Sequence, residues 1–174
     1  MIAYFAEDPI CKWIPRIFQY SSQETKDCFA LEVYRRLKNM AEPEQGKWWG
    51  RWLRSYWKNR VQGVPSAFES REVQYMLDWL PHLRAVFPEA VDLAVQMPPV
   101  PLQHSWVMSE LVVSEENGLL VSYPEPIAKL LVYLWKCNLS RSHWDSSHRL
   151  IDSLLQSDIS SELKKELEGI KIQL

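Results

Sequence analysis

Lys47-Trp48-Trp49-Gly50-Arg51-Trp52-Leu53-Arg54-Ser55-Tyr56-Trp57-Lys58-Asn59-Arg60 is the most distinctive stretch of the chain. Lys47, Arg51, Arg54 and Lys58 fall at i, i+4, i+7 and i+11, the spacing that lines one face of an α-helix. Trp49, Trp52, Leu53 and Tyr56 line a neighbouring face, and Trp48 and Trp57 lie at its borders. Two stripes of opposite character at one period make this segment a helix.

The same period runs through the rest of the chain. Five glycines in 174 residues are few for a protein of strands, because hairpins consume glycine at their turns. The single Asn117-Gly118 follows two glutamates and lacks alternating apolar flanks. The expected fold is therefore all-α, a helical-repeat-like array of about eight helices within one domain spanning 1–174.

Local signals place the helices. Ser21-x-x-Glu24 has capping-box form and opens a helix through Phe29, Val33 and Leu37. Pro43 ends it, and a second helix runs from about Pro43 to Gln62, with Gly63 and Pro65 as its stop. Ser70 opens a third, carrying Val73, Met76, Leu77 and Leu80, and Pro81 starts a new turn or kinks it. Pro88 sits in the first turn of a fourth. The prolines of Met97-Pro-Pro-Val-Pro101 force an extended connection. A fifth helix spans roughly 105–113, and a sixth, 124–137, is apolar nearly all round and so central in the core. Two more, about 144–156 and 160–170, follow.

Phe87-Pro88-Glu89-Ala90-Val91 and Tyr123-Pro124-Glu125-Pro126-Ile127 share one pattern 36 residues apart, each at a helix start. Helical-repeat arrays have periods of about 34–47 residues. Chance reuse of a favourable helix start produces the same pattern.

Charge is uneven along the chain. Residues 43–63 carry a net +4 and residues 64–130 a net −6, while both flanks balance. The formal total of −2 excludes a chain drawn by bulk charge onto nucleic acid or membrane. Three widely spaced cysteines, Cys11, Cys28 and Cys137, suit a reducing cytoplasm. The N-terminal residues carry no signal-peptide pattern. The longest apolar run, Leu130–Trp135, is far shorter than the ~20 residues of a membrane span. No membrane association is expected. The apolar residues Ile2, Tyr4 and Phe5 either dock onto a partner or fold back on the helices.

Catalytic signals are lacking. There is no nucleotide loop and no nucleophile elbow, so neither an enzyme nor a cofactor is expected. His143 and His148 are five residues apart, the wrong spacing for two imidazoles on one helical face, and no metal site is expected. His82 and His104 border proline-rich turns and are expected to bond backbone groups. Asp158 and Glu162-x-Lys164 weakly match nuclease spacing, but capping explains Asp158 better. The candidate site is instead a partner-binding surface of Lys47, Trp48, Arg51, Arg54, Trp57 and Lys58. Basic residues among aromatics can grip phosphates and stack bases, which makes nucleic acid the alternative to a protein partner. A buried aromatic stripe edged by long basic stems is the structural alternative.

Tyr56-Trp57-Lys-Asn-Arg60-x-x-Gly63-x-Pro65, Met76-x-x-Trp79-Leu-Pro-His-Leu83, Phe87-Pro-Glu-Ala-Val91, Ser109-Glu-Leu111 and Tyr123-Pro-Glu125 follow one another in a recognisable order. This order resembles an uncharacterised helical domain near the C-termini of large bacterial sirtuin-like proteins of the anti-phage defence type. The likeness makes 43–137 the expected family core, with 1–42 and 138–174 as flanking helices. In those proteins the NAD-consuming chemistry belongs to an N-terminal domain, so no catalytic residue carries over. The resemblance implies a non-catalytic regulatory, sensing or assembly module that binds a protein partner or effector domain.

Overall fold

A computed structural model describes residues 20–62, 71–102, 105–116, 118–139, 144 and 147–174. Among the described residues there are helices and connecting turns but no strand, so the fold is all-α. No helix among them is long and apolar enough to cross a membrane. The chain's contacts group into two compact units, Met1–Val86 and Phe87–Leu174. The division falls after two short 3₁₀ turns, Leu80–His82 and Arg84–Val86, where Pro81 interrupts helical continuity.

In the first unit, α1 spans Gln23–Lys38. Its cap is Ser22, whose Oγ accepts from the Thr25 N–H at 3.3 Å, so the capping position lies one residue beyond the expected Ser21. Gln45 closes the other end, its Nε2 donating to the Met40 carbonyl at 2.8 Å and the Leu37 carbonyl at 3.3 Å. α2 (Glu42–Trp48) takes Pro43 into its first turn, where a missing N–H costs nothing. A π-helical turn, Trp49–Leu53, joins it to α3 (Arg54–Gln62).

That π turn has a reason in the sequence. The buried pairs Trp48/Trp49, Trp52/Leu53 and Tyr56/Trp57 recur every four residues, whereas an α-helix turns in 3.6. A pure α-helix would rotate successive pairs away from the core. The wider i→i+5 turn absorbs the drift and keeps all three pairs inward. α4 (Arg71–Asp78) lies along α1, and just beyond it Trp79 Nε1 donates to the Ala30 carbonyl of α1 at 2.9 Å.

The second unit contains α5 (Phe87–Ala94), α6 (Val107–Glu116), α7 (Leu119–Ser122), α8 (Pro124–Lys136), α9 (His148–Gln156) and α10 (Ser161–Gln173). The short α7 was not expected; it starts at Gly118, whose φ of 80° suits glycine. α8 is the central helix, burying Ile127, Ala128 and Leu130 to Leu134 against α5, α7, α9 and α10. The two copies of the aromatic-Pro-Glu pattern meet here. Phe87 and Tyr123 rings lie 6.0 Å apart and Lys129 Nζ reaches Asp92 at 3.3 Å, so α5 and α8 run side by side in one direction. The proline-rich connection is pinned where Leu102 N–H donates to the Cys137 carbonyl at 3.1 Å. Ser160, not Asp158, caps α10, because Ser160 directly precedes the first helical residue.

Candidate partner-binding face

The rod formed by α2, the π turn and α3 is wet on one side and dry on the other. Lys47, Arg51, Arg54 and Lys58 are all exposed, together with Gly50, Ser55 and Asn59. Lys47 is ion-paired with Glu44 on the same face. Trp48, Trp49, Trp52 and Trp57 are all buried, Trp57 completely. The four expected basic site residues thus share one surface. Trp48 and Trp57 do not belong to it, which corrects their place in the expected site. They sit at the borders of the stripe only on an unbroken α-helical wheel; the four-residue recurrence and the π turn carry them into the core.

Behind the basic face is an aromatic cluster. Trp48 packs on Trp52 at 5.2 Å, and Phe29 packs on Trp52 at 5.6 Å and on Tyr56 at 5.0 Å. Trp57 meets Trp79 edge-on at 5.8 Å and Trp49 at 6.4 Å. Offset and edge-to-face pairs of this kind add about 0.5–1.5 kcal/mol each beyond burial. They make the rod a stiff platform for the charges on its outer side.

Among the described residues of this unit Lys26, Glu72 and Asp78 are buried charged groups, and Glu72 is the one enclosed completely. Glu72, at 0% exposure, accepts from the Tyr56 hydroxyl, from Arg60 Nε at 2.8 Å and Nη2 at 2.7 Å, and from Gln23 Nε2 at 3.1 Å. Its backbone N–H donates to Asp27 Oδ1 at 2.9 Å. Burial, then the Glu72 charge, pushes the Tyr56 phenol well above its ordinary range. Lys26, buried nearby, is held below the usual amine range by desolvation and then by Arg60. Burial alone would lower Arg60, yet its hydrogen bonds and attraction to Glu72 raise it, so it stays charged. With its lone-pair directions occupied, Glu72 has no capacity left for a substrate or metal. It fixes α1, α3 and α4 to one another and so sets which way the basic face points. Its signal in the sequence was a lone carboxylate next to Val73 and one turn before Met76, on an apolar helix face.

Of the other candidate residues, those that are described stand apart from one another. His143 and Asp145 lie outside the described residues, as do His104, Cys11, Gly63, Pro65, Ser70 and the apolar Ile2, Tyr4 and Phe5. His148 is exposed, and His82 packs its ring on Tyr34 at 5.5 Å. Cys28 is exposed, while Cys137 is buried with its thiol pushed up by burial. Among the described residues no three His, Cys, Asp or Glu are grouped to hold a metal ion.

Residues 2–168 match a family described as a domain of unknown function, DUF4020. No curated protein and no solved structure matches the chain. The family match extends over most of both units, and the chain belongs to the DUF4020 family.

Proposed function

We propose that the chain is a non-catalytic regulatory or assembly module, and that Lys47, Arg51, Arg54 and Lys58 dock an acidic protein surface. The observation that carries this reading is the separation on the rod: four exposed cations in helical register over a buried tryptophan layer. Exposed ion pairs contribute about 0.2–1 kcal/mol each, so the face supplies orientation and encounter rate more than affinity. Its stiff aromatic backing lowers the ordering cost of binding. Nucleic acid is the weaker alternative, because the rod offers no exposed aromatic on which a base could stack. On the strength of the resemblance to C-terminal domains of sirtuin-like proteins, we read the module as a cytoplasmic component of bacterial anti-phage defence.

Fluorescence anisotropy with labelled poly-L-glutamate, set beside single-stranded and duplex oligonucleotides of matched charge, tests the reading. Poly-glutamate is expected to bind in a salt-dependent way and to be released by the double variant Arg51→Glu/Arg54→Glu, whose melting temperature stays unchanged. Tighter binding of an oligonucleotide would overturn the choice of partner. Equal loss of stability and binding in every variant would return the helix to a purely structural role.

A further inference from the structure

Met97-Pro98-Pro99-Val100-Pro101-Leu102 follows α5 in the second unit. One proline is enough to stop a helix. Three hold the whole segment extended, because each ring fixes its own φ and pushes the preceding residue out of the α region. Residues 98–102 accordingly form neither helix nor turn. A chain of this kind is a polyproline II helix, which has three residues per turn and therefore three edges. Burial follows that period: Met97 is buried and Val100 half-buried on the inner edge, while Pro98 and Pro101 are both exposed on an outer one. At about 3.1 Å per residue these two rings stand about 9 Å apart. Pro99, also exposed, lies on the third edge. Beyond Met97 only Val100 and Leu102 carry a backbone N–H, and both are spent on the buried Cys137. The Val100 N–H donates to its sulfur and the Leu102 N–H to its carbonyl, the latter at 3.1 Å.

We propose that residues 98–101 are a docking segment for a protein whose groove is walled by exposed aromatic rings, the kind of partner that takes polyproline II chains. Such a groove packs its rings on proline and donates hydrogen bonds to the chain's carbonyls. The outer side of the segment offers both, with no N–H that docking would leave unpaired. Because the rings fix φ and buried Met97 and Leu102 anchor the two ends, little conformational freedom is lost on binding. There is also room for a partner's ring. A groove of about 450 Å³ runs beside Pro99, between Met97, Val132 and Leu163, so the third edge is open as well as the outer one. Its rim carries Lys129 and Lys136 together with glutamates, so proline shape rather than charge selects the partner. The segment belongs to a different unit from Arg51 and Arg54 and needs no contribution from them.

Nuclear magnetic resonance titration of isotope-labelled SH3 and WW domains with the unlabelled full chain tests this, since both domains present aromatic grooves to polyproline II ligands. Signals from the groove tryptophan and tyrosine residues of at least one domain are expected to move, and a proline-rich peptide should reverse the movement. Pro98→Ala/Pro101→Ala removes the outer edge but keeps the Val100 and Leu102 N–H groups, so it should abolish the movement while the melting temperature stays close to wild type. Pro101→Ala alone should weaken it without touching the end of α5. Arg51→Glu/Arg54→Glu should bind as the wild type does. No movement in any domain overturns the inference, as does movement that survives loss of both prolines. Movement that disappears with Arg51 and Arg54 instead would leave the basic face as a docking surface and remove the proline segment.

Discussion

The two units solve the same packing problem with different materials. The first surrounds α3 with tryptophan, phenylalanine and tyrosine and buries a carboxylate among them. The second surrounds α8 mainly with leucine, isoleucine, valine and alanine, and its ion pairs, Lys129 with Asp92, Lys136 with Glu166 and Lys171 with Asp152, are exposed. Aliphatic side chains carry no polar edge and interdigitate without help. Indole and phenol groups bring donors into the core, and the Tyr56 donor is matched by Glu72, which in turn requires Arg60. The aromatic unit is therefore directional, and its outer charges stand at fixed positions.

The sharpest contrast comes from single substitutions. Trp57→Ala should cost about 4 kcal/mol, because a fully buried indole touching Trp49 and Trp79 leaves a large cavity. Urea unfolding followed by far-ultraviolet circular dichroism measures it. Glu72→Ala should cost about 3 kcal/mol by stranding Arg60 and Tyr56 away from water. A smaller cost than that of removing an exposed pair in the second unit would erase the distinction between the units.

Alkaline titration separates them next. Tyr56 holds its proton more tightly folded than unfolded, so its contribution is complete below about pH 10 and is lost as pH rises above that value. Lys26 acts oppositely: its folded pKa is lowered, so stability grows with pH until the unfolded amine also loses its proton near 10.5. The wild type minus Tyr56→Phe difference in unfolding free energy should therefore shrink above pH 10, while Lys26→Met removes the rise below it. In the second unit Tyr133 and Cys137, both raised by burial, give a decline that neither substitution alters. At the small end, Lys171→Ala should change stability by no more than about 0.5 kcal/mol, since its pair with Asp152 is half-exposed.

Much of this was readable in advance, for local reasons. Prolines at 43, 81, 88 and 124 and the serine caps act over a few residues, so helix starts fell within one to three positions of those expected. The late start of α9 and the four-residue α7 lacked such a signal, the second being too short to show a period. Lys47, Arg51, Arg54 and Lys58 share one face because the π turn that keeps the buried pairs inward keeps the residues between them outward. Trp48 and Trp57 were misplaced because the π turn that buries them follows from core packing, not from local propensity. Glu72 was missed for a related reason: a carboxylate on an apolar face is recognisable only once Tyr56, Arg60 and Gln23 surround it. The two-unit division likewise reflects which helices pack together, and the contrast between an aromatic and an aliphatic unit is recognised only once that packing is known.

The docking face depends on the basic helix being wet on its charged side and dry on its tryptophan side. Hydroxyl-radical footprinting, read tryptophan by tryptophan by mass spectrometry, reports that directly. Trp48, Trp49, Trp52 and Trp57 should remain unoxidised in the folded chain while Trp106, 50% exposed, is modified at a rate near that of the unfolded protein. Oxidation of Trp48 or Trp57 at the rate of Trp106 would put aromatic surface beside the arginines and contradict the separation of the two faces.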